Sequence, residues 1–220
     1  VPAELAAGYF GKLHSHSGGE GTASKPVPGH PEIRAQYFDR SSKRVSGEEW
    51  HSDQSNVEMP PKFSILYQEI IPPDGGGDTL FLSAAKAYDE LSPSMKAYLE
   101  GKTAKHDGSV AFEKAKKEHP VTSHPMVTVH PESGRKVLFV SRNFTTRIDG
   151  VPEDESRAIL EFLFNHLSKP YWSMRFRWTD HCVAMWDNRC TQHFAIWDYW
   201  PNVRSGFRVF VEGTERPKAA

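Results

Sequence analysis

A mainly β fold, a sandwich or barrel with helices packed outside it, is predicted by three observations. Short runs rich in β-branched and aromatic residues recur along the chain, Gly- and Pro-rich punctuation separates them, and only residues 153–168 carry a long helical period. A length of 220 residues suits one sizeable core better than two small ones, so 1–220 is read as a single domain.

The elements follow in order. Residues 17–30 combine Gly, Ser and Pro with no apolar period and read as a mobile loop; 39–49 are polar and charged and read as another. Residues 63–71 form a strand closed by Pro72-Pro73-Asp74-Gly75-Gly76-Gly77, and 79–82 resume an extended run. Ser83 or one of its neighbours caps a short helix through Tyr88, and Ser92-Pro93 opens a second that ends before Gly101. Residues 110–119 are expected as a charged helix. Residues 127–130 and 136–140, joined by Pro131-Glu132-Ser133-Gly134, predict a hairpin. In 153–168 the apolar face is drawn from Ile159, Leu160, Phe162, Leu163, His166 and Leu167, with Asp154 and Glu155 in the first turn. Strands are predicted at 172–178, 182–186 and 207–211.

Composition narrows the function. Lys+Arg is 27 against Asp+Glu 28, so no electrostatic pull toward nucleic acid or an anionic membrane is expected. No apolar run approaches a membrane span, and the N-terminus shows no signal-peptide pattern. Cys182 and Cys190 lack CxxC spacing and are read as reduced thiols of a cytoplasmic protein. The sequence opens at Val1 without an initiator Met, which leaves room for upstream residues in a longer protein. Homo-oligomerisation is left open.

The chemistry concentrates in Trp50-His51-Ser52-Asp53. In an extended strand, residues two apart point the same way, so His51 and Asp53 can share one metal ion. Two histidines and one carboxylate, with part of the ion left open, is the donor set of non-haem Fe(II) oxygenases. A lone His-x-Asp arises readily by chance, and a polar pair at a strand end would explain it. The downstream run ending in His193 supplies a second imidazole, followed by Arg204 and Arg208, whose planar guanidinium groups suit carboxylate clamping. Thr79, after the Gly run, offers a hydroxyl to the same carboxylate.

FGKLH at 10–14, WHSD at 50–53, GGDTLF at 76–81, AYDELSP at 87–93, HP at 124–125, LFV at 138–140, FTTRI at 144–148 and WDNRCTQH at 186–193 stand in order along nearly the whole chain. With these motifs the chain resembles the taurine dioxygenase family of Fe(II)/2-oxoglutarate-dependent oxygenases. The resemblance implies a double-stranded β-helix, or jelly roll, with flanking helices. It implies Fe(II), 2-oxoglutarate and O2, with release of succinate and CO2 as a C–H bond is hydroxylated. Residue by residue, it makes His51, Asp53 and His193 the metal ligands. Thr79 and Arg204 fall at the positions that hold the distal carboxylate of 2-oxoglutarate, and His16, Gln54 and Arg208 at those that bind the substrate. For Arg208 the alternative is a strand residue paired with a nearby acid, and His14 is the alternative to His16.

Two further substrate-contact positions of the family fall on Gly19 and Gly47, which offer no side chain. The implied substrate is therefore a small organic anion, a sulfonate first, with larger acids favoured over taurine. The same chemistry on an aryloxy acid, a purine or a specialised metabolite is the nearest alternative. A non-catalytic jelly-roll binding module is the alternative from another class; it would have no use for five residues matched to metal and co-substrate.

Overall fold

The computed structural model describes residues 9–14, 24–43, 45, 47–111 and 119–220. In chain order it contains β1 (Ser24–Val27), β2 (His30–Phe38), β3 (Phe63–Ile70), β4 (Thr79–Ser83), α1 (Ala84–Asp89) and α2 (Pro93–Leu99). There follow β5 (Thr103–Asp107), α3 (Gly108–Ala111), β6 (Val121–Pro125), β7 (Val127–Val129), β8 (Lys136–Leu138) and β9 (Thr145–Ile148). Then come α4 (Glu153–Leu167), a 3-10 turn (Pro170–Trp172), β10 (Ser173–Phe176), β11 (Val183–Asp187), β12 (Thr191–Ala195) and β13 (Arg204–Val211).

The larger sheet runs β1-β2-β13-β3-β11 and is antiparallel throughout; a three-stranded sheet runs β10-β4-β12. Leu66 of β3 and Trp186 of β11 pack with Phe81 of β4, Phe176 of β10 and Trp178, which closes the space between the two sheets. The architecture is a jelly roll, mostly β with few helices. Helices α1 and α4 lie outside it. Their buried residues join Met126, Leu138 and Ile148 in a separate core, and each fully buried aliphatic side chain there contributes about 1.5–3 kcal/mol.

Capping followed the sequence: Ser83 Oγ accepts from Lys86 N and Ser92 Oγ from Met95 N, each at 3.2 Å. The buried face of α4 is Ser156, Leu160, Leu163, His166 and Leu167; Phe162, expected on it, is exposed, because it lies off the stripe that these residues define. Residues 24–27, expected as loop, form an edge strand. It needs no apolar period, since its side chains are exposed or half-buried, and Arg34 Nη2 bonds the Ser24 carbonyl at 2.5 Å. The strands β2, β5, β6, β9 and β12 were not predicted. The expected helix at 110–119 is described only as α3, and 112–118 lie outside the described residues.

Candidate metal centre

His193 sits on β12 opposite Phe81, and His51 continues the same sheet as an isolated antiparallel bridge partner of His193. The sequence reading placed His51 and Asp53 on one extended strand. Instead the chain makes this single bridge and then turns at Asp53, with Gln54 at φ 48°. Both side chains nonetheless reach the same point. His51 Nε2 lies 3.7 Å and His193 Nε2 3.8 Å from Asp53 Oδ1, and all three residues are buried.

Hydrogen bonds fix which ring nitrogens are unprotonated. His51 Nδ1 donates to the Glu49 carbonyl at 2.7 Å, which leaves Nε2 unprotonated. Arg208 Nη2 can only donate, so His193 Nε2, at 3.2 Å from it, accepts. Burial pushes both imidazoles below their usual range, that of His193 strongly. Burial would push Asp53 up, but Arg208, His193, His51 and the Ser64 hydroxyl outweigh it and hold the carboxyl well below the usual carboxylate range. Two neutral imidazoles and an ionised carboxylate thus converge, which fits a divalent ion of intermediate softness. A second grouping, His130, Asp187 and Cys190, does not fit as well. Ser133 N donates to His130 Nδ1, so Nε2 is protonated and donates to Asp187, whose oxygens Arg189 also occupies.

Thr79 opens β4, buried, with its Oγ1 accepting from Trp178 Nε1 at 3.0 Å; its own proton remains to be donated. Arg204 opens β13 and is buried with no ion pair among the described residues, and its Nε has no partner. Burial lowers its pKa. The Ser205 carbonyl can only accept and Arg204 can only donate. The Gln68 amide is therefore oriented with its N–H on Ser205 O (3.0 Å) and its oxygen on Arg204 Nη2 and Nη1 (3.0 and 3.2 Å). A buried guanidinium that lacks a carboxylate is a fitting host for one from outside. Gly77 (φ +83°) makes this placement possible, since a Cβ there would stand 2.7 Å from Arg204 Cδ.

Arg208 lies on β13 four residues after Arg204, between the rings of Trp186 and Phe210, and hydrogen-bonds Asp53 Oδ2. It therefore lies against the His51, Asp53 and His193 cluster itself. Gln54 is buried next to Asp53, while His16 and Gly19 lie outside the described residues. Gly47 (φ +92°) would place a Cβ 3.0 Å from His51 Cε1, so it is a close-approach glycine rather than free space. Sequence reasoning missed Ser64 and Asn188, which bond one another beneath Asp53; Asn188 stood inside the quoted WDNR run, but Ser64 carried no signal.

Residues 3–210 match the taurine catabolism dioxygenase TauD, TfdA family, and the chain belongs to it. An alpha-ketoglutarate-dependent sulfonate dioxygenase of Saccharomyces cerevisiae is 34% identical over 95% of this chain and 53% of its own length. The alpha-ketoglutarate-dependent dioxygenase cnsP of Penicillium expansum is 36% identical over 91% of this chain and 58% of its own. The crystal structure of a taurine dioxygenase from Burkholderia xenovorans superposes with a TM-score of 0.75 at 37% identity, covering 85% of this chain and 66% of that one. The chain spans little more than half the length of the two curated relatives.

Proposed function

We propose that this chain is the catalytic domain of an Fe(II)- and 2-oxoglutarate-dependent dioxygenase that hydroxylates a small organic anion, a sulfonate first. The observation that carries the reading is the convergence of His51, Asp53 and His193 within 4.8 Å, all buried. These three would hold Fe(II), which supplies O2 activation coupled to decarboxylation of 2-oxoglutarate. Arg204 and the Thr79 hydroxyl bind the distal carboxylate and orient the co-substrate. Arg208 lies near the metal ligands, where it can pair with the anionic head of a substrate. Trp186, Phe81 and Phe144 pack against the two imidazoles and exclude water from them. A cytoplasmic setting is part of the reading and is supported by two free cysteines. Among the described residues, no helix is long and apolar enough to cross a membrane.

The experiment is succinate formation from 2-oxoglutarate with Fe(II), O2 and a panel of sulfonates, aryloxy acids, purines and neutral analogues. Stimulation by sulfonates above all others is expected. Stimulation by a purine or a neutral metabolite instead would replace the substrate class. Stoichiometric Fe(II) binding with no turnover of 2-oxoglutarate under any condition would return the chain to the binding-module class.

A further inference from the structure

Beneath Asp53 lies a chain of four buried groups whose proton directions are all determined. The Trp186 indole N–H can only donate, and it meets Asn188 Oδ1 at 3.1 Å; the backbone N–H of Asp53 reaches the same oxygen at 3.4 Å. That fixes the amide, so Asn188 Nδ2 donates to Ser64 Oγ at 2.8 Å. With its oxygen already accepting, the Ser64 hydroxyl points its proton at Asp53 Oδ2, 2.6 Å away, which as an ionised carboxylate only accepts. Ser64 is 0% exposed and Asn188 2%. Arg208 Nη2 takes the second acceptor position of the same Oδ2. The oxygen left over is Oδ1, the one that faces His51 Nε2 and His193 Nε2.

We propose that Ser64 and Asn188 are positioning residues: they pin Asp53 Oδ2 so that the carboxylate presents Oδ1 alone to the metal. Ser64 is on β3 and Asn188 follows β11, two neighbouring strands of the larger sheet, whereas both histidines extend the smaller one. The relay is thus the means by which one sheet sets the orientation of a donor shared with the other. Without it Oδ2 is held by Arg208 alone, and the carboxylate is freer to rotate about its Cβ–Cγ bond and offer its other oxygen. Fixed outer partners of metal ligands commonly govern affinity in this way. The inference rests on reading His51, Asp53 and His193 as the metal site.

The test is Co(II) titration of the whole chain, followed by calorimetry and by the visible absorption of bound Co(II), for the wild type, Ser64→Ala, Asn188→Ala and the double variant. Ser64→Ala removes one hydroxyl and no packing of consequence, so it is the decisive substitution. It should weaken Co(II) binding roughly tenfold or more and shift the visible band. Asn188→Ala, added to Ser64→Ala, should cost little further, because its path to Oδ2 runs through that hydroxyl. Ser64→Cys, a weak donor of similar size, should fall between. A Ser64→Ala protein with lowered Tm but unchanged Kd and spectrum overturns the positioning role and leaves the metal site standing. Absence of Co(II) binding to the wild type overturns both.

Discussion

His51 and His193 hold one another by two reciprocal backbone hydrogen bonds, His51 N to His193 O at 3.2 Å and His193 N to His51 O at 2.9 Å. Most of the chain separates them in sequence, yet their rings stand 4.1 Å apart at the centroids. The sheet ladder therefore sets the two backbones opposite one another, and the Glu49 carbonyl and Arg208 then orient the rings.

His193→Ala keeps that ladder, because both bonds are backbone bonds. The fold should survive while divalent metal binding collapses. The loss in affinity should exceed the roughly 10–100-fold typical of losing an outer partner. Equilibrium dialysis with Fe(II) or Co(II), beside a melting curve, checks it; near-normal affinity in a folded variant removes His193 from the site.

Gly77→Ala should act on the co-substrate. The added Cβ meets Arg204 Cδ at 2.7 Å and Nε at 2.8 Å, and the left-handed backbone adds about 1–2 kcal/mol of strain. Gly75→Ala is the control: its φ is similarly positive (+74°), but nothing lies within 4 Å. Both variants should lose stability, and only Gly77→Ala should raise the KM for 2-oxoglutarate several-fold with metal affinity intact. Arg204→Lys, which keeps charge but loses the planar fork, should do the same. Equal KM in the two glycine variants would detach Gly77 from the clamp.

Legibility in the sequence tracked chemistry more than geometry. The residues proposed for metal and co-substrate carry unusual types in ordered motifs, so His51, Asp53, His193, Thr79 and Arg204 could be named; the first three converge, buried, and Thr79 and Arg204 are buried beside Trp178. The turn at Asp53 was not legible, because a one-residue bridge leaves no periodic trace. Strand β2 was hidden by Pro31 and Glu32 near its start and by Arg34 and Gln36, whose places are set by pairing with β13 and β1 rather than by propensity. Ser64 is an ordinary residue in a β-strand until Asn188 and Asp53 are brought to it from elsewhere in the chain.

Acid should destabilise the fold through His106. It is 1% exposed, held between Ser55 Oγ (2.9 Å) and Thr145 Oγ1 (3.4 Å) and stacked on Phe139, with His124 beside it. Burial lowers its pKa to about 3. Below pH ~6.5 the unfolded chain binds a proton that the folded one refuses, so stability falls as the pH drops from ~6.5 toward about 3. At pH ~5 the loss from this one group is about 2 kcal/mol. Urea unfolding at both pH values should show His106→Gln spared that increment; identical pH dependence in the two proteins would refute the assignment.

Substitution of Arg208 should separate substrate binding from metal binding. The guanidinium bonds Asp53 Oδ2 and lies 3.2 Å from His193 Nε2, yet its Nε has no partner. An anionic head group arriving here would exchange one anionic partner of Arg208 for another. Truncating one side of such a desolvated charged contact costs on the order of 2–5 kcal/mol, so Arg208→Ala should raise the KM of an anionic substrate tens-fold or more. A neutral analogue of the same shape should lose little. Divalent metal affinity should hold or rise, because a positive charge beside the ion is gone while Ser64 still holds Oδ2. The KM for 2-oxoglutarate should stay near its wild-type value, since Arg204 and Thr79 are untouched. An equal loss for the anionic and neutral compounds, with weaker metal binding, would assign Arg208 to the metal ligands alone and withdraw the anionic head group from the substrate.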